Sequence, residues 1–194
     1  MTLAEDNSGH VRDLSDDERE VLSLLVALDA PMEESLLLAL LEGTSASTVT
    51  LGDLERDGLG VRDSRRRWSI APALTADDMR ALLTPAQQQR SAQRLGVGLL
   101  TAARELPALR RAVHLLLEGG DAPAALDGVV RWYAAQGPAA PTVDEVVMAL
   151  RGARQNVEFE RELPRRLRWH RAWWRQPAFV ALVSVIVALA VIAW

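Results

Sequence analysis

The 194-residue chain has no cysteine and no lysine; all 22 of its basic residues are arginine. Without thiols there is no disulfide, no thiolate chemistry and no sulfur ligand for a metal. Without lysine there is no G-x-x-x-x-G-K-[ST] phosphate loop. The three histidines, His10, His114 and His170, stand far apart and show no metal-binding spacing. Gly96-Val97-Gly98 is an isolated G-x-G without a preceding strand or a third glycine, so it predicts close helix packing or a kink rather than a dinucleotide site. Acid pairs at Asp16-Asp17, Glu33-Glu34 and Asp77-Asp78 fall at helix starts, where the helix dipole accounts for them. No catalytic constellation is present, and neither cofactor nor metal is expected. Glycine and proline are scattered as punctuation, with no low-complexity tract.

Charge is missing altogether from the last seventeen residues, Ala178 to Trp194, whose one hydroxyl is Ser184. At ~1.5 Å per residue this run reaches ~26 Å as a helix, a little under the ~30 Å of a hydrocarbon core. Trp173 to Pro177 extend it to spanning length. A transmembrane helix over 178–194 is therefore predicted. The block before it, Arg161 to Gln176, holds six arginines against Glu162, a charge of +5. The whole chain carries −4, so residues 1–160 carry −9. Basic residues flanking a span stay on the cytoplasmic side. The expectation is a single-pass protein of the cytoplasmic membrane with its N-terminus in the cytoplasm. Arg165, Arg166, Arg168, Trp169, Arg171, Trp173, Trp174 and Arg175 are the expected interfacial residues, with guanidinium groups on lipid phosphates and indoles in the aromatic belt. A tail anchor and a longer chain cut at Trp194 are both compatible with this run.

The remaining residues read as helices with one β interruption. Residues 1–13 lack periodicity and predict a flexible tail. Ser15 and Glu18 form a capping box, followed by Val21, Leu22, Leu24, Leu25 and Leu28 at helical spacing. Asp29-Ala30-Pro31 ends this helix. A second is predicted from near Met32 to Gly43. A third runs from Ser45 to Arg56, with Val49, Leu51 and Leu54 inward and Asp57-Gly58 as its stop. Residues 59–63 and 67–71 alternate in character, and Ser64 to Arg66 make the turn of a hairpin. Thr75 caps a short helix to Leu83. Thr84-Pro85 opens another towards Arg104. Pro107 to Glu118 and Pro123 to Ala135 are separated by the turn Gly119-Gly120-Asp121. Residues 136–141 are a linker. Thr142 caps a helix with Val143, Val146, Val147 and Leu150, loosened beyond by Gly152 and Asn156.

Three helices followed by a two-stranded hairpin is the order of a winged helix-turn-helix. Residues 14–83, with Leu51, Leu54, Gly58, Leu59, Trp68 and Ile70 in key places, resemble the winged-helix domain of bacterial STAND-type signal-transduction ATPases. Residues 84–136 resemble the helical segment that leads into tetratricopeptide-like repeats there, through the elbow LLLEGGDAPAAL. The resemblance implies signal transduction by protein contact. It stops short of the ATPase, since the phosphate-loop lysine has no counterpart. The domains predicted are thus a tail at 1–13, a winged helix at 14–83, a helical hairpin at 84–136, a linker and helix at 137–160, a basic juxtamembrane segment at 161–177 and the span at 178–194. The fold class is mainly α with a small β-hairpin.

Arg65, Arg66 and Arg67 at the hairpin tip, and Trp132 at the elbow, are the candidate contacts for a partner or for DNA. The third helix weighs against DNA. Asp53, Glu55 and Asp57 outnumber Arg56, and it is chiefly Ser45, Ser47, Thr48 and Thr50 that are offered to base edges. The expectation is a non-catalytic, membrane-anchored interaction module. Its partners would be a cytoplasmic protein, a separately encoded ATPase being one candidate, and anionic membrane lipid. A one-pass membrane-bound winged-helix transcription regulator is the alternative. The partner's identity and the oligomeric state stay open.

Overall fold

The computed structural model describes residues 14–152 and 156–174. Among them are nine α-helices and three short strands. The tail, Arg175 and the run 178–194 lie outside the described residues. No helix among the described residues is long and apolar enough to cross a membrane.

The first half packs around helix α1 (Asp16–Leu28). Its start follows from local chemistry. Ser15 accepts from the Glu18 N–H, and the Glu18 carboxylate accepts from the Ser15 N–H at 2.7 Å, which satisfies two orphan donors. Asp29 closes it in the left-handed region at φ 50°. Strand β1 (Met32–Glu33) comes next, then α2 (Glu34–Leu41), α3 (Thr48–Arg56), β2 (Gly60–Arg62) and β3 (Arg67–Ile70). The strands form an antiparallel sheet in the order β1-β3-β2, with Trp68 opposite Met32 on one side and Arg62 on the other.

Two predictions are corrected here. The second helix begins at Glu34, because Met32 and Glu33 pair with Trp68 and Arg67 as a third strand. Two residues are too few to show a period of two. In α3, Val49 points outward and is exposed, while Thr50 is buried. Capping explains the exchange: Thr50 Oγ1 accepts from the Ser47 N–H at 3.2 Å and is drawn against the body.

The second half continues with α4 (Ala76–Leu82), α5 (Pro85–Ala102), α6 (Leu106–Glu118), α7 (Ala122–Ala135), a 3-10 turn at Gly137–Ala139, α8 (Val143–Leu150) and α9 (Val157–Trp174). Two apolar clusters form. One joins α1 to α4 and the sheet with Ala92 and Leu95 of α5 and Leu115 of α6. The other joins α6, α7, α8 and α9. Helices α5 and α6 lie close because Gly96 has no side chain. A Cβ there would stand 2.7 Å from Leu116 Cγ and 3.1 Å from the Ala112 carbonyl oxygen.

Helix α9 runs through the boundary drawn at residues 160 and 161. Asn156 does not loosen the preceding helix; its Oδ1 accepts from the Phe159 N–H at 3.0 Å and opens α9. Phe159, Leu163 and Leu167, four residues apart, are almost wholly buried. That spacing places them on one helical face. The first part of the basic block therefore belongs to the folded body. Its arginines ride on the outer faces of a core helix.

Candidate interaction surfaces

The hairpin tip is an ion-pair cage. Asp63 Oδ1 accepts from the N–H groups of Arg65, at 2.8 Å, and Arg67, at 2.9 Å. Its Oδ2 accepts from Arg67 Nε at 2.8 Å and lies 2.7 Å from Arg67 Nη2. These bonds hold the Asp63 carboxyl below its ordinary range, the Arg67 N–H being the largest cause and desolvation opposing it. Arg66 sits at φ 59°, in the left-handed region, which costs a residue with a Cβ roughly 1–2 kcal/mol. Its Nη2 donates to Glu34 Oε1 at 3.2 Å. Arg62 Nη2 stands 2.7 Å from the other Glu34 oxygen, a charge contact without hydrogen-bond alignment. The Arg66 hydrogen bond chiefly lowers the Glu34 pKa. Desolvation opposes it, and Arg62 and the neighbouring Trp68 indole add smaller lowerings.

Of the three tip arginines, Arg66 and Arg67 are thus engaged by Glu34 and Asp63. Arg65 is exposed, and its guanidinium makes no ion pair among the described residues. The polar side chains of the third helix are similarly occupied. Ser45 bonds Asp17, Ser47 caps α3 and Thr50 is buried. Arg56 pairs with Asp53 and approaches Asp57. Thr48, Val49, Gly52 and Glu55 remain exposed on α3. A groove-reading helix needs arginine, lysine or amide side chains free to reach base edges; this face offers none.

Trp132 lies in the second apolar cluster with 7% of its surface exposed. It belongs to the core, not to a contact surface, and its indole nitrogen has no hydrogen-bond partner among the described residues. His114 is exposed on α6. No three His, Asp or Glu side chains among the described residues are grouped to hold a metal.

At the other end, Arg165, Arg166, Arg168 and Trp169 are exposed on α9. Arg171, Trp173 and Trp174 fall on the same helix, in its last turn, and their side chains lie outside the description. Between α7 and α9 is a groove of about 870 Å³, walled by Asp127, Val130, Arg131, Arg165, Arg166, Trp169 and His170. Arg166 Nη1 donates to Asp127 Oδ1 at 2.5 Å. The sequence signal for the α7 wall is the i, i+3, i+4 spacing of Asp127, Val130 and Arg131, which puts them on one face. A second cleft of about 1000 Å³ lies between α1, α2 and α5 around the buried, mutually hydrogen-bonded hydroxyls of Ser23 and Ser91.

No family model, curated protein or solved structure matches this chain.

Proposed function

We propose that the chain is a non-catalytic interaction module held at the cytoplasmic face of a membrane by its C-terminal apolar run. Its head, residues 14–83, serves as a winged helix adapted to protein contact. The observation that carries this reading is α9. Its buried stripe of Phe159, Leu163 and Leu167 fixes it to the body. Its outer faces carry Arg161, Arg165, Arg166 and Arg168, and the uncharged run begins four residues past its end. A folded head would then meet anionic lipid through a rigid basic edge. Confinement to a surface raises the effective concentration of a bound partner without any new contact.

The occupied arginines of the hairpin tip and the acidic α3 favour a protein partner over DNA. The tetratricopeptide-like elbow between α6 and α7 supports the same class of function. A separately encoded signalling ATPase is the partner that the sequence resemblance proposes.

Alkaline carbonate extraction of membranes tests the anchor. The full chain should stay in the pellet, and a chain ending at Gln176 should be released. Release of the full chain would refute membrane integration.

A further inference from the structure

The α7–α9 groove has features beyond a general basic edge. Its wall residues, 127–131 on one helix and 165–170 on the other, lie more than thirty positions apart in sequence. Arg131, Arg165 and Arg166 outweigh Asp127, leaving a net charge of +2. The three arginines are engaged to different degrees. Arg166 is held by Asp127 at 2.5 Å. Arg165 reaches Glu162 only at 3.4 Å. Arg131 makes no ion pair among the described residues; its Nε donates to the Asp127 carbonyl of its own helix at 3.4 Å. Two guanidinium groups on facing walls therefore have donor capacity for an anion with paired oxygens. Val130 and the 68%-exposed Trp169 supply apolar surface beside them. That combination suits a ligand charged at one end and apolar at the other.

The chain outside the structure indicates where such a ligand comes from. Ala178 opens the uncharged run eight positions after His170. Eight residues span at most ~29 Å even when fully extended. If the run enters a bilayer, the groove cannot stand far from its headgroups.

We propose that the α7–α9 groove binds the phosphate of an anionic phospholipid, with Arg131 and Arg165 as its ligands. Asp127 holds back Arg166 and so limits the affinity. This rests on the anchoring reading above.

The absence of cysteine makes a direct test simple, because V130C introduces a single thiol on the groove wall. The full chain carrying V130C is reconstituted into vesicles of phosphatidylcholine, with or without phosphatidylglycerol. Flotation is measured together with the rate at which a soluble maleimide modifies the thiol. Flotation is expected with both lipids. Modification should be about five-fold slower with phosphatidylglycerol, the effect of one basic contact at an anionic surface. R131A should abolish the difference and D127N should widen it. R110A removes the same charge from an exposed position of α6 outside the groove, and should preserve it.

Flotation with equal rates in the two lipids overturns the groove and leaves the anchor standing. So does an equal effect of R131A and R110A, which would mean diffuse attraction. Equal slowing by a soluble acidic peptide in phosphatidylcholine vesicles would overturn lipid as the occupant. Failure to float overturns both readings. If R131A folds poorly by its melting curve, D127N decides alone, and no widening overturns the proposal.

Discussion

Arg66 and Glu34 hold each other twice. The Glu34 N–H donates to the Arg66 carbonyl at 3.0 Å, and the Arg66 guanidinium donates back to Glu34 Oε1 at 3.2 Å. A hairpin tip is thereby fastened to the first turn of α2, thirty-two positions earlier. Arg66 makes both bonds from a left-handed backbone, at φ 59°.

E34Q should loosen this lock without unfolding the chain. The side chain keeps its size but loses its charge to Arg62 and Arg66. Hydrogen exchange of the amides in 60–70 should quicken, while those of α7 and α9 should not change. Uniform quickening across the chain would contradict a local lock.

The same carboxyls set an acid limit. Glu34, Asp63 and Glu145 all have pKa values lowered in the folded state, chiefly by hydrogen bonds from Arg66, the Arg67 N–H and the Thr142 N–H respectively. A lowered folded pKa gives stability that is complete above the unfolded value and is lost as pH falls through the folded one. The ordinary values are 4.5, 3.8 and 4.5. Melting temperature should therefore be insensitive to these groups from pH 7 to about 5 and fall below about 4. The fall should be smaller in E34Q. A fall beginning near pH 6.5 would point to histidine instead.

Two glycines of helices should respond oppositely to alanine. Gly96 faces Leu116 and the Ala112 backbone at contact distances. G96A should destabilise by about 1–3 kcal/mol through overpacking, more than the ~1 kcal/mol gained in helix propensity. A Cβ at Gly52 of α3 would meet nothing within 4 Å, so G52A should stabilise by up to ~1 kcal/mol. Urea denaturation of both variants checks the pair.

Leu167 tests whether the basic segment is folded. It is fully buried against the second cluster. L167A should cost about 2–5 kcal/mol. No change in stability would mean that residues 161–174 form an appendage.

What was legible in the sequence was chiefly local. Ser15, Thr75, Thr84 and Thr142 announced four helix starts, and each forms a capping box, with Glu18, Asp78, Gln87 and Glu145 in turn. Gly96-Val97-Gly98 was legible as close helix packing or a kink, and at Gly96 it is close packing. The missed features depend on distant partners. Met32 and Glu33 are a strand only because Trp68 and Arg67 lie beside them. Glu34 resembled an ordinary first-turn acid until the hairpin folded onto it. The stripe of Phe159, Leu163 and Leu167 was present at a spacing of four but was obscured by the arginines between its members. Pro164 lies within α9, where it removes one backbone donor, so the local chemistry disguises a continuous helix. The α7–α9 groove has no sequence signature, because its walls meet only in the fold.

The central claim is a head held on the cytoplasmic side of a membrane. Val49 is 69% exposed on α3, and the chain is free of cysteine, so V49C reports the side on which the head lies. The full chain is expressed in a bacterial host and treated with a membrane-impermeant maleimide. The account predicts no labelling in intact spheroplasts and full labelling in inverted membrane vesicles. Labelling in intact spheroplasts, or recovery of the labelled chain in the soluble fraction, would contradict it.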